Sequence, residues 1–137
     1  MPNFRALKIG DETKLIPLFK VLTGKEILID SASLVADTDA VCLVIEENDE
    51  LIGFGSLIIH QVPTKGEVAR LEDIIISEKH QGKGLGRTLV TKLIEIAKEK
   101  NIRKINLTSN PMRIGAHKLY GSVGFSRVNT DTFVMEI

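Results

Sequence analysis

Ile74-Ile75-Ile76-Ser77-Glu78-Lys79-His80-Gln81-Gly82-Lys83-Gly84-Leu85-Gly86-Arg87 carries a β-branched run, a polar turn, three alternating glycines and the start of an amphipathic segment. A strand–loop–helix order of this kind leaves unshielded backbone N–H groups at a helix N-terminus, where the peptide dipoles concentrate positive charge. Such a place suits a phosphate or pyrophosphate. Spacing decides which kind of ligand. A Walker A loop ending at Gly86-Arg87-Thr88 would need glycine at 81 and lysine at 87, where Gln81 and Arg87 stand. A dinucleotide Gly-x-Gly-x-x-Gly fails from either start, since Arg87 and Leu89 occupy the third glycine's places. The pattern present is Gln81-x-x-Gly84-x-Gly86.

A second set of residues lies downstream, as Arg113-x-x-Ala116-x-x-Leu119-Tyr120-x-x-x-Gly124-Phe125. Together, and in this order, the two motifs resemble those of the GNAT-type N-acetyltransferase superfamily, and with the strands upstream the resemblance covers nearly the whole chain. It implies an α/β fold of α+β character: a single-domain, mixed and mostly antiparallel sheet flanked by helices, in the order βααβββαβαββ. It also implies acetyl-CoA as cosubstrate and direct transfer of its acetyl group to a primary amine.

The resemblance distributes roles over residues. Backbone amides of Gln81, Gly82, Lys83, Gly84, Leu85, Gly86 and Arg87 would hold the pyrophosphate, with glycines keeping side chains out of the way. Lys83 and Arg87 can add charge-assisted contacts, although Lys83 reads equally well as a solvated surface lysine. Ile74, Ile75 and Ile76 would pair their main chain with the pantetheine arm, and the amide of Ile74 or Ile75 would serve the oxyanion. Tyr120, the only tyrosine, would protonate the departing thiolate; an unperturbed phenol has a pKa of about 10. Glu72, in Arg70-Leu71-Glu72-Asp73-Ile74, resembles the first acid of the Glu-Asp pair in glucosamine-phosphate N-acetyltransferases. It is expected to bind the amine and act as general base. Strand alternation would send Glu72 and Asp73 to opposite faces, leaving one of them to meet the substrate. Arg113 stands where the family often has asparagine, so it reads as a contact to a CoA phosphate or a substrate carboxylate, or as a surface residue. The family's asparagine role is not transferred to Asn110.

The elements that must position these groups follow from periodicity. A first strand is expected over 4–9, and helices over 12–22, with Pro17 inside, and about 25–36. Strands 41–46 and 51–61 flank a polar connection, Glu47-Asn48-Asp49-Glu50, and a strand over 67–76 follows. Gly53 and Gly55 suggest a close approach by a ligand or another backbone. The strongest helix pattern is 84–100, with Leu85, Leu89, Leu93, Ile96 and Ala97 on one side. A strand at 104–108, a helix at 113–122 and strands at 126–128 and 132–137 complete the pattern.

Composition sets the outer bounds. The 137 residues suit one domain. Eighteen basic and eighteen acidic residues cancel, which removes the basic footprint of a nucleic-acid binder. The single cysteine, Cys42, sits in an apolar run, where a buried thiol is the simpler reading than a nucleophile. His60, His80 and His117 lack metal-ligand spacing, so no metal is expected. With no signal-like or membrane-length apolar segment, a cytoplasmic protein with a small-molecule amine substrate is expected. A homodimer, a protein-amine substrate and a non-catalytic acyl-CoA-binding module remain open.

Overall fold

The computed structural model describes residues 1–137. Its single sheet has five strands in the order of the chain: β1 (Asn3–Ala6), β2 (Ala40–Glu47), β3 (Glu50–Val62), β4 (Gly66–Ile76) and β5 (Ile105–Asn106). Neighbours are antiparallel except β4 and β5, which run parallel. The helices are α1 (Glu12–Thr23), α2 (Ser31–Ala36), α3 (Leu85–Glu99) and α4 (Ile114–Ser122). None is long and apolar enough to cross a membrane.

Each face of the sheet owns a core. On one side α3 buries Leu89, Val90, Leu93 and Ala97 against Leu57, Ile59, Ala69, Leu71 and Ile74. On the other, Leu15, Leu18 and Phe19 of α1 meet Cys42, Val44, Phe54 and Ile75. The helical stripe of α3 explains its position: a helix with one apolar face has to cover a sheet.

Local chemistry fixes the ends. Gly24 closes α1 in the left-handed region (φ 76°), and the helix passes through Pro17 without breaking. The carboxylate of Asp30 accepts from the Ser33 amide at 3.0 Å and starts α2 there, so the second helix covers 31–36 rather than 25–36. Asn48 (φ 52°) and Asp49 (φ 63°) join β2 to β3 in a two-residue turn of the hairpin type. Asp11 precedes α1 but gives it no side-chain cap. Its carboxylate instead takes the guanidinium of Arg5 at 2.9 Å and the Lys8 amide at 2.8 Å, and Arg5 also reaches Glu46.

Two expectations need correction. The sequence pattern of strands at 126–128 and 132–137 is not realised: the sheet ends at β5 and these residues pair with nothing, leaving Phe133 91% and Met135 84% exposed. Alternating apolar residues make a strand only where a partner edge supplies the ladder. The close approaches at Gly53 and Gly55 come from side chains. A Cβ on Gly53 would lie 2.6 Å from Ile45 Cδ1, and one on Gly55 2.8 Å from Ile74 Cδ1.

Candidate active site

β4 and β5 share only two rungs, Ala69↔Ile105 and Arg70↔Asn106. Beyond Arg70 the two strands part, and the outer edge of Ile74–Ile76 faces a cleft of about 1080 Å³. The cleft runs from the end of α1 (Val21, Leu22), past Ile74, Ile75 and Ile76, over the start of α3, to α4 with Tyr120.

The glycine loop forms one end. A 3-10 turn over Glu78–His80 follows β4, held by Ser77 Oγ on His80 Nδ1 (2.7 Å) and by Gln81 Nε2 donating to the Ile76 carbonyl (3.1 Å). Gly82 (φ 79°) and Gly84 (φ 80°) then take left-handed conformations that place the chain at the head of α3. The first helical hydrogen bond there is Thr88 N to Gly84 O. The amides of Gly82 through Arg87 therefore have no backbone carbonyl to bind, and a Cβ on Gly82 or Gly84 would stand in open space. Free amides, a helix N-terminus and an unfilled cradle fit a diphosphate. The open edge of β4 leads from there toward Tyr120.

Tyr120 is 8% exposed and packs edge-on against Phe125, ring centroids 5.9 Å apart. Burial pushes its phenol up, and the positive charge of Arg113 partly offsets that. Arg113 itself lies at the start of α4, exposed, on the cleft wall.

The cleft thus gathers Ile74, Ile75, Ile76, Gln81, Gly82, Gly84, Leu85, Gly86, Arg87, Arg113 and Tyr120. Lys83 and Glu72 are not on its wall. Lys83 is exposed in the loop, whereas Glu72 pairs with Arg70 at 3.0 Å.

The expectation that Glu72 and Asp73 take opposite faces is overturned. Between the pairs Ser56↔Glu72 and Phe54↔Ile75, one residue of β3 opposes two of β4: a β-bulge. Asp73 is in the left-handed region (φ 55°). Leu71 and Ile74 both enter the α3 core, and Ile75 enters the α1 core. Glu72, paired with Ser56, faces the α1/α2 side, and Asp73 is exposed instead of alternating into the α3 core. In agreement, the charge of Asp73 acts on the Cys42 thiol, which belongs to that side. No group of three or more His, Cys, Asp or Glu side chains is placed to hold a metal.

A mixed sheet splays between two parallel strands, and an amide-lined loop stands at the mouth of the split, leaving a cleft with room for an extended ligand. Residues 13–125 match the model of the acetyltransferase (GNAT) family, and the chain belongs to it; the cosubstrate of that family is acetyl-CoA. Glucosamine 6-phosphate N-acetyltransferase of Candida albicans is 36% identical over 130 residues, 87% of each chain. Mycothiol acetyltransferase of Renibacterium salmoninarum is 31% identical over 114 residues, 80% of this chain, which spans only 34% of that protein's length. The crystal structure of glucosamine-6-phosphate N-acetyltransferase from Arabidopsis thaliana has the same fold, with a TM-score of 0.85, 23% identity and 98% of each chain covered.

Proposed function

We propose that the chain is an N-acetyltransferase that moves the acetyl group of acetyl-CoA directly to the primary amine of a small molecule. The observation that carries this is the row of free amides at Gly82–Arg87, set at the end of an open strand edge that leads to a buried tyrosine. The relatives' names support a small acceptor: an amino sugar phosphate, or an amino acid as in the L-2,4-diaminobutyric acid acetyltransferase of Shouchella clausii, 30% identical over 82 residues. A polyamine belongs to the same class.

In this reading the Gln81–Arg87 loop holds the diphosphate, with Arg87 adding charge, and the edge of Ile74–Ile76 orients the arm. Bound acetyl-CoA supplies an activated acetyl carbon. The amide of Ile74 or Ile75 donates to the developing oxyanion, and Tyr120 delivers its proton to the leaving sulfur. Raised by burial, the phenol stays protonated through neutral pH and keeps that proton available. Glu72 binds the acceptor ammonium and, as general base, takes the proton that frees the nitrogen lone pair. A covalent route through Cys42 is disfavoured: burial pushes its thiol up to about 11, leaving almost no thiolate.

Release of CoA with a panel of amines, including glucosamine 6-phosphate, diaminobutyrate and a polyamine, tests the activity. Tight acetyl-CoA binding without transfer to any acceptor would make the chain a binding module instead. Tyr120→Phe should lower kcat by about 100-fold while leaving acetyl-CoA affinity unchanged. Equal turnover under conditions where chemistry is rate-limiting removes the acid role.

A further inference from the structure

We propose that the acceptor is an α-amino acid with an apolar side chain: Arg113 holds its carboxylate, and its side chain lies between Val21 and Leu22 of α1 and Met112 and Ile114 at the start of α4. The inference rests on the acetyl-transfer reading and narrows its small-molecule amine to one class.

The two ends of the cleft differ in chemistry. The glycine loop, with His80 and Arg87, forms the diphosphate end at the head of α3, which covers one side of the sheet. Val21 and Leu22 reach the cleft from α1, which covers the other side. Glu72 faces that other side too. A cofactor laid along Ile74–Ile76 from the loop leaves the α1 wall to the acceptor.

This part of the cleft is apolar and open. Val21 is 52% exposed, Met112 85% and Ile114 66%, and all three line the cavity. Single exposed apolar residues need no explanation. Three set around one cavity mark a place that receives an apolar group.

Charge narrows the class further. Apart from Tyr120, every ionisable side chain on the cleft wall is basic: His80, Arg87, Arg113 and Lys118. A polyamine brings a second cation, and the wall has no carboxylate to receive it. An amino sugar phosphate would press several hydroxyl groups against valine, leucine, methionine and isoleucine, where they find no partners. An α-amino acid avoids both costs, because its one anion sits next to the amine and its body can be wholly apolar.

Arg113 is the cation placed for that anion. It makes no ion pair within the chain, and it stands exposed on the wall between Met112 and Ile114. Its charge is felt at the Tyr120 phenol, which sets it toward the reacting end of the cleft. A guanidinium fork meets a carboxylate through two parallel hydrogen bonds. With Glu72 on the ammonium, each charge of the amino acid has one partner.

The test reads CoA release with L-leucine, L-methionine, L-alanine, L-serine, isoamylamine, glucosamine 6-phosphate and spermidine. Leucine or methionine should give the highest kcat/KM, at least about 10-fold above alanine and serine. Isoamylamine is leucine without its carboxylate. Arg113→Gln should therefore lower the leucine-to-isoamylamine ratio of kcat/KM by about 10- to 100-fold, and any effect on folding or on Tyr120 cancels from that ratio. Val21→Ser should lower the leucine-to-alanine ratio by about 3- to 10-fold, with CoA affinity by calorimetry unchanged. An active wild type that prefers serine, spermidine or glucosamine 6-phosphate overturns the inference alone. So does an Arg113→Gln variant that loses leucine and isoamylamine equally, or a Val21→Ser variant that keeps the full leucine preference. A wild type that binds CoA and acetylates none of these amines overturns the acetyl-transfer reading as well.

Discussion

Replacing Gly84 with alanine adds one methyl group at the point on which the cofactor reading depends. Gly84 sits at φ 80° and ψ 6°, and an ideal Cβ there meets no heavy atom within 4 Å. Packing therefore contributes nothing to the cost in the folded protein. Alanine in the left-handed region costs about 1–2 kcal/mol, and the smaller conformational freedom of the unfolded variant offsets about 0.4–1 kcal/mol of it. The net loss is about 1 kcal/mol, a drop in Tm of about 2–4 °C for a chain of this size. Binding should suffer more. The methyl group stands among the free amides, and losing one charged amide–phosphate contact costs about 1.5–3 kcal/mol, or roughly 10- to 100-fold in Kd.

Gly24 provides the matched control. It ends α1 at φ 76° and ψ 3°, and its Cβ also meets nothing within 4 Å. Gly24→Ala should show a similar melting shift by calorimetry and wild-type affinity for CoA by titration. Wild-type affinity in Gly84→Ala would refute the amide cradle, and an equal loss in both variants would refute it by assigning the effect to backbone strain.

Two further outcomes follow from the rest of the fold. Gly55→Ala should destabilise by about 1–2 kcal/mol, since its Cβ would lie 2.8 Å from Ile74 Cδ1 and 3.0 Å from Leu89 Cδ2, side-chain ends that can yield only partly; a denaturant midpoint equal to wild type would mean that the core relaxes freely. Acid stability should depend on Asp11: burial pushes its carboxyl up, but Arg5 and the Lys8 amide more than reverse this and hold it below its usual range. A depressed carboxylate contributes in full above its unfolded pKa of about 4 and loses that contribution as pH falls through the folded value. Urea midpoints measured from about pH 6 down to about pH 2.5 should therefore fall less steeply in Asp11→Asn than in wild type.

Those parts of the site that depend on backbone chemistry were legible in the sequence. Gly82 and Gly84 stand where φ must be positive, and only their residue type had to be read. α3 declared itself because its stripe is long and regular, and its buried residues include Leu89, Leu93 and Ala97 of that stripe. Elements that depend on a partner were harder. The 126–137 pattern suggested strands, yet no edge receives them. The second helix lost its first six residues because Asp30, rather than periodicity, sets its start. Arg113 was singled out and reaches the cleft wall, whereas Val21 and Leu22 on the opposite wall carried no signal, since nothing in α1 announces which turn borders a cavity.

The acidic pair shows where such reading fails for a physical reason. Alternation along β4 is a local rule, but the bulge at Asp73–Ile74 arises from registers set on either side by β3. It also begins three residues after Arg70, the last rung shared with β5. Bulges bend a strand and increase its twist, and this one lies where Ile74–Ile76 run along the cleft, beyond the end of the pairing with β5. Gly55 accommodates it by leaving room on the α3 face for the Ile74 side chain, whose Cδ1 would lie 2.8 Å from a Cβ there. A substitution that restored regular pairing would turn residue 73 toward the α3 core, where a carboxylate has no partner, and so should destabilise the fold.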